Sequence, residues 1–335
     1  MRIGIAGVGR VGAMHAANLV ALGKVRQVVL FDPVPGRAAQ LSASLGPDVG
    51  HVDTADELLA TSDAMVVATP TTTHPELLRR GLSAKLPMLC EKPIAGDLVT
   101  MSAIVEEIET AGVDVVVGFQ RRFDPAFTEL RRRIRAGDVG TVYLVRALGH
   151  DAQPPDFEYL PTSGGIFRDL FVHDLDVVPW LVGEPVVEVY ASGSVLVHEA
   201  FADVGDVDNA VVTLRFANGT HALLAGGRHN ALGYDHRVEV LGSKDSLAVG
   251  LDPRTPLTSL EPDGPKVGVD AYPGFPERFR NAYLNEMAVF VDVVAGRVEN
   301  PSPARDSLVS LRLADACERS RLSGAPVRLL VEAVS

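Results

Sequence analysis

Short β-branched and apolar runs recur along the first part of the chain, at Ile3–Ala6, Val25–Phe31, Ala64–Ala68, Pro87–Cys90 and Val113–Val117. Between them lie stretches with helical spacing: Val11–Leu22, Pro35–Leu45, Ala55–Leu59, Pro75–Ser83 and Leu98–Ala111. Runs that are apolar on both faces, separated by helices, predict a parallel sheet covered on both sides. Thr73-His74-Pro75-Glu76 reads as a helix start, because proline in the first turn loses no hydrogen bond there.

After about residue 120 the pattern changes. An arginine-rich helix, Phe123–Arg135, leads through Gly137-Asp138-Val139-Gly140 into a strand, Val142–Gly149. A helix is expected near Phe167–Leu181. The runs Val186–Val197, Val207–Phe216, Thr220–Gly226, Arg237–Leu241 and Leu247–Val249 then read as an antiparallel meander, with Asn218-Gly219 as a hairpin turn. Residues 252–276 are rich in Pro, Gly and Asp and read as a surface excursion. Helices around Pro276–Ala295 and Pro303–Ser323 close the chain. The expectation is an α/β domain over residues 1–120, followed over 121–335 by an α+β domain with an open, largely antiparallel sheet.

Composition narrows the function classes. A chain of 335 residues, 47% hydrophobic, buries a large core and is expected to form two domains. Its formal charge is -12 and no basic block stands out, which argues against nucleic acid as a partner. Arg131-Arg132-Arg133 with Arg135 reads as the wet side of a helix. Two cysteines, Cys90 and Cys317, are too few for a disulfide framework or a cysteine-rich zinc site. The chain begins on a strand, and its apolar runs fall short of the ~18 residues that span a bilayer. No membrane association and a cytoplasmic location are expected.

Gly7-Val8-Gly9-Arg10-Val11-Gly12 is a G-x-G-x-x-G that follows a strand at once and opens a helix. The first glycine makes the tight turn, the second admits a pyrophosphate, and the third lets helix and strand pack closely. The helix N-terminus, with Arg10 and Val11, offers free N–H groups to phosphate. Asp32 ends the second strand, where an acid holds a ribose 2′-hydroxyl and repels a 2′-phosphate. NAD is therefore the expected cofactor and the first domain a Rossmann domain. Arg37 is close enough in sequence to reach a 2′-phosphate.

Only five of the 31 Lys+Arg are lysines: Lys24, Lys85, Lys92, Lys244 and Lys266. Lys92 directly follows an apolar run, Leu86–Cys90, within Glu91-Lys92-Pro93. Lysine gives up its proton when desolvated and arginine does not. Two readings stand: a proton-transfer group, or a loop lysine paired with Glu91. Ligands of open α/β sheets bind beyond the carboxyl ends of the strands. Three polar loops share that rim with the glycine loop: Ala68–His74, Glu91–Pro93 and Gly118–Asp124. That placement favours the site reading and makes Thr69, Thr71, His74, Glu91, Lys92 and Gln120 candidate cofactor contacts.

A second stretch, Ser163-Gly164-Gly165-Ile166-Phe167-Arg168-Asp169-Leu170-Phe171-Val172-His173-Asp174-Leu175-Asp176, puts Asp169 and His173 four apart on an expected helix, on one face. Histidine titrates near neutrality and takes a proton from a hydroxyl, and a carboxylate one turn away can orient it. A surface or capping pair is the plainer reading. Metal binding is not expected, since no second histidine lies at ligand spacing.

With these motifs together, the chain resembles the glucose–fructose oxidoreductase/inositol dehydrogenase (Gfo/Idh/MocA) family over essentially its whole length. The matching elements are Gly7–Gly12, Ala68–His74, Glu91-Lys92-Pro93, Gly118–Asp124 and Ser163–Asp176. Within the family, Gly118–Pro125, the Ser163–His173 stretch and Gly233–Ser243 look most like inositol 2-dehydrogenases, which often carry Gln where His236 stands. The resemblance implies NAD-dependent oxidation of a cyclic polyol hydroxyl, an inositol to an inosose, by hydride transfer. It implies a catalytic set of Lys92, Asp169 and His173, with either His173 or Lys92 as principal base. Arg122 and Tyr234 would face the polyol, with His150 and Asp151 as further candidates. Arg121, Asp124 and Asp235 read equally as structural ion pairs, and Tyr283 as core. Residues 150–162, with Pro154-Pro155 and Pro161, read as a substrate-specificity loop. A homodimer or homotetramer is implied. The alternatives are a sugar or amino-sugar dehydrogenase on the same scaffold, or a non-catalytic NAD-dependent sensor, which would be expected to lose the proton-transfer residues.

Overall fold

The computed structural model describes residues 1–264 and 270–330. Residues 265–269 of the expected surface excursion lie outside them. The chain divides into two compact units: Met1–Asp124 with Asn281–Val309, and Pro125–Arg280 with the chain from Ser310 on. Where a single cut after residue 120 was expected, the chain leaves the first unit after Asp124 and returns to it over Asn281–Val309.

The first unit holds six parallel strands: β1 (Arg2–Ala6), β2 (Gln27–Phe31), β3 (Val49–His51), β4 (Ala64–Val67), β5 (Met88–Glu91) and β6 (Val115–Gly118). Their order is β3-β2-β1-β4-β5-β6, so the sheet winds outward in both directions from β1. Ile3 and Ile5 of β1, Val28 and Leu30 of β2, Val66 of β4, Leu89 of β5 and Val116 of β6 share one core. β3 is an addition to the expected elements. It is three residues long with Gly50 at its centre, too short to show a period.

Met287, Phe290, Val291 and Val293 of the helix Arg280–Val294 join that same core. The chain then runs along the free edge of β6. Val117 N–H donates to the Ser302 carbonyl at 2.8 Å, and Ser302 Oγ donates to the Val117 carbonyl at 2.9 Å. Asn300 Nδ2 donates to the Val115 carbonyl at 2.9 Å. An exposed strand edge is thereby covered.

The second unit is built on a sheet of β7 (Val142–His150), β8 (Val186–Ser194), β9 (Asn209–Phe216), β10 (His221–Gly227), β11 (Asp235–Gly242), β12 (Ser246–Val249) and β13 (Val327–Arg328), in the order β12-β11-β7-β10-β9-β8-β13. It is open and largely antiparallel, as expected, and Asn218-Gly219 turns β9 into β10 with Gly219 at φ 89°. It is not a simple meander. β7 inserts between β10 and β11 and runs parallel to β10. Parallel pairing needs a long crossover, and the helices and strands between residues 150 and 221 supply it.

The expected helix Phe167–Leu181 is two helices, Ile166–Asp169 and Val172–Val182. At the junction Phe171 N–H reaches back five residues to the Ile166 carbonyl, at 3.0 Å. This wide turn interrupts the regular phase. Asp169 and His173 are therefore not one α-helical turn apart on a single helix, and the shared-face argument fails. None of the described helices is long and apolar enough to cross a membrane.

Phe290 is fully buried in the shared core. Phe290→Ala is expected to lower stability by about 3–5 kcal/mol, as for other large-to-small core changes. Urea denaturation followed by fluorescence and circular dichroism measures it.

Candidate active site

The glycine loop is shaped by what it excludes. Gly7 has φ 87°, and a Cβ on it would sit 2.7 Å from the Ala68 carbonyl oxygen. A Cβ on Gly12 would overlap the Gly7 carbonyl oxygen, so helix and strand approach only because residue 12 has no side chain. Gly9 is the opposite case: a Cβ there would meet nothing within 4 Å. Position 9 thus fronts open space at the start of the helix Arg10–Leu22, which has no side-chain cap. Open space before uncapped helical N–H groups is the cradle a pyrophosphate fits.

Asp32 stands at the end of β2 and anchors this loop. Its Oδ2 accepts the Val8 N–H at 2.9 Å and its Oδ1 the Val34 N–H at 2.9 Å. Arg37 Nη1 lies 3.3 Å from Asp32 Oδ1. The cation that could have welcomed a 2′-phosphate is paired with the carboxylate that repels one.

The other rim loops carry more structure than expected. Thr73 Oγ1 donates to Thr69 Oγ1 at 2.7 Å, within the 3-10 turn that Thr71 opens. His74, expected as a cofactor contact, is 1% exposed. Its Nδ1 lies 2.9 Å from the Pro93 carbonyl and its Nε2 2.8 Å from the Thr69 carbonyl. It ties the β4 loop to the Glu91–Pro93 loop. Burial lowers its pKa while the two carbonyls favour the proton. Glu91 turns its Oε1 to His15 Nε2, at 2.7 Å. Gln120 is buried. Arg122, expected to face the polyol, points Nη1 at Asp306 Oδ2 (2.7 Å) and the Pro301 carbonyl (3.2 Å). This ion pair lies inside the first unit. Lys92 follows the last residue of β5, partly buried. Tyr283 is core, edge-on to His15.

In the second unit the sheet register gathers the polar candidates. Gly227 at the end of β10 pairs with His150 at the end of β7, and His150 pairs with Asp235 at the start of β11. Because β7 and β10 are parallel, His150, Asp151 and Arg228 leave the sheet at one end, next to Tyr234. Arg228 is the residue that sequence reasoning missed. It is 2% exposed, with Nη2 3.0 Å from Asp169 Oδ2 and Nη1 3.4 Å from Asp151 Oδ2. The two carboxylates hold its charge against burial. Its signal was there in Gly226-Gly227-Arg228, two small residues and then a charge after an apolar strand.

Asp169 also accepts from Tyr159 Oη at 3.2 Å, which brings the 150–162 loop to the same carboxylate. Burial lowers the His150 pKa, and the Asp235 charge partly restores it. Tyr234 packs on His236, ring centroids 4.4 Å apart. Arg237 closes on Asp235 at 2.9 Å, so Asp235 takes its structural reading.

A dinucleotide cradle on a doubly wound sheet, with an acid at the ribose position, defines an NAD-dependent dehydrogenase. Residues 1–119 match the oxidoreductase family with an NAD-binding Rossmann fold, and residues 127–248 the GFO/IDH/MocA C-terminal domain. The chain belongs to the Gfo/Idh/MocA oxidoreductase family. It is 40% identical to myo-inositol dehydrogenase Hyg17 of Streptomyces leeuwenhoekii, covering 97% of this chain and 98% of that one. A myo-inositol dehydrogenase structure from Corynebacterium glutamicum superposes with TM-score 0.90 at 34% identity, covering 99% of each chain. The scyllo-inositol dehydrogenase of Lactobacillus casei, solved with NAD(H) and scyllo-inositol, gives TM-score 0.85 at 26% identity over 98% of each chain.

Two outcomes follow from the geometry. Gly9→Val places a side chain in the open cradle and is expected to weaken NAD binding by roughly two orders of magnitude, since the pyrophosphate site of such loops depends on backbone approach. Its melting temperature should match the wild type, and fluorescence titration with NADH reads the affinity. Arg228→Met strands two carboxylates and is expected to cost about 3–5 kcal/mol, as when one partner of a buried pair is removed; thermal unfolding measures it.

Proposed function

We propose that this protein oxidises a ring hydroxyl of an inositol, myo-inositol or a close isomer, to the ketone, with NAD as hydride acceptor. One arrangement carries the reading. Arg228 pairs with Asp169 and Asp151 at the sheet end that also carries His150, in a chain whose first unit has the NAD cradle. The names of the curated relatives, inositol dehydrogenases at 34–40% identity over nearly the whole chain, support the substrate class.

In this reading Lys92, Asp169 and His173 form the catalytic set. His173 takes the proton of the substrate hydroxyl, and the Asp169 charge favours the imidazolium that results. Lys92 hydrogen-bonds the same oxygen and steadies the negative charge that develops on it. NAD, when bound, supplies the electrophilic carbon that accepts the hydride. Tyr234, His150 and Asp151 contribute polyol contacts, and Arg228 keeps the charge count of that group of side chains balanced. Thr69, Thr71 and Gln120 belong to the cofactor rim. We place the enzyme in the cytoplasm as a homodimer or homotetramer. The exposed Tyr190, Val211 and Leu223 on the strands of the second sheet are apolar surface of the kind such assemblies cover.

A panel of myo-, scyllo- and D-chiro-inositol with common aldoses, each with NAD and NADP, tests the reading by absorbance of the reduced cofactor. Turnover with an inositol and NAD is expected. Turnover confined to aldoses, or none with any polyol, overturns it. Lys92→Arg is expected to lower kcat by about 10²–10⁴-fold with NAD affinity retained, the usual range for loss of a proton-transfer group. Wild-type turnover in Lys92→Arg removes Lys92 from the catalytic set.

A further inference from the structure

Three titratable side chains meet in the interior of the first unit, next to the loop that carries Lys92. His15 comes from the helix Arg10–Leu22, Glu91 from the last position of β5, and Glu286 from the helix Arg280–Val294. His15 and Glu286 have 0% exposure, and the Glu91 side chain 15%. One nitrogen or oxygen of each lies within 4.8 Å of the others. His15 Nε2 is in hydrogen-bond contact with Glu91 Oε1 at 2.7 Å. Neither Glu286 oxygen has a hydrogen-bond partner among the described residues. Gly118 pairs with Glu91 in the sheet, and a Cβ there would lie 3.0 Å from the Glu91 carboxyl carbon, so the carboxylate is confined.

A buried carboxylate beside a second carboxylate does not ionise readily. Burial, and then the Glu91 charge, push the Glu286 carboxyl well above the ordinary glutamate range. Both effects favour the protonated form of Glu286, with Glu91 as the acceptor beside it. A spacing of up to 4.8 Å accommodates one bridging water, with three polar groups around it.

We propose that Glu286 is a positioning residue for Lys92: it donates its carboxyl proton, through one bridging water, to the Glu91 carboxylate that His15 also holds. Lys92 follows Glu91 directly, in the bend that ends β5, so fixing the Glu91 side chain fixes the backbone from which Lys92 leaves. The helix that carries Glu286 is itself fixed in the core by Met287 and Phe290. Asn285, next to Glu286, donates from Nδ2 to the Phe123 carbonyl at 3.2 Å. Glu286 thus acts from a rigid support. The proposal rests on Lys92 serving the reaction.

The test pairs Glu286→Leu, which removes the donor, with Glu286→Gln, which keeps one. For each, melting temperature, NADH affinity, KM and kcat are measured on the full chain, and crystal structures locate Lys92. The expected result is a folded Glu286→Leu with unchanged NADH affinity and KM, kcat lower by roughly tenfold, the scale of a lost supporting hydrogen bond, and Lys92 displaced. Glu286→Gln is expected to restore most of kcat and the Lys92 position. A Glu286→Leu enzyme within twofold of wild-type kcat, with Lys92 in place, overturns the proposal. So does a Glu286→Gln enzyme no better than Glu286→Leu. Stoichiometric divalent metal in the purified wild type, lost in both variants, overturns it in favour of a cation held by the three side chains. The Lys92 position is read without substrate, so failure of the positioning role is separable from failure of the inositol reading. If Lys92→Arg is inactive and Glu286→Leu is not, only the positioning role falls.

Discussion

The first unit depends on one contact that only glycine allows. The helix after β1 begins so close to the turn that a Cβ at position 12 would overlap the Gly7 carbonyl oxygen. That approach sets the helix N-terminus directly over the end of β1, in the middle of the sheet where the strand order reverses. The remaining features build outward from it. Asp32 ties the turn to the next strand through the Val8 N–H. The open space before Gly9 follows from the same backbone path. The ends of β4, β5 and β6 then fall on the same rim because the strands are all parallel to β1.

Much of this was legible in the sequence because it is local. A strand, a glycine turn and a helix occupy the first 22 residues, and their signals do not depend on distant partners. The Glu91–Pro93 loop and the stretch around Asp169 were legible as motifs for the same reason. What was not legible depends on long-range pairing. The parallel pair β7–β10 joins segments about seventy residues apart, and no local period distinguishes it from a meander. β3 is too short for a pattern. The turn at Phe171 keeps helical composition on both sides, so only its five-residue hydrogen bond reveals the break between Asp169 and His173.

The polar residues divide differently from their residue types. Position on a rim suggested cofactor contact for His74, and the family resemblance suggested polyol contact for Arg122; in the structure each also joins segments of protein. Neither partner, a carbonyl after Lys92 and an aspartate near the end of the chain, is visible from sequence spacing. Arg228 is the reverse. It drew no role from the sequence, and it is the buried centre of charge between Asp151 and Asp169.

The return of the helix Arg280–Val294 to the first core has a consequence for how the chain is made. The strands that it covers are complete once residue 118 has been synthesised, but their core lacks Met287, Phe290 and Val291. Roughly 170 residues separate the end of the first segment from the end of that helix. At about 5–20 residues per second, the growing chain carries an unfinished apolar surface for on the order of ten seconds or more. The fold of the cofactor half is thus completed almost last, although its signature stands first in the sequence.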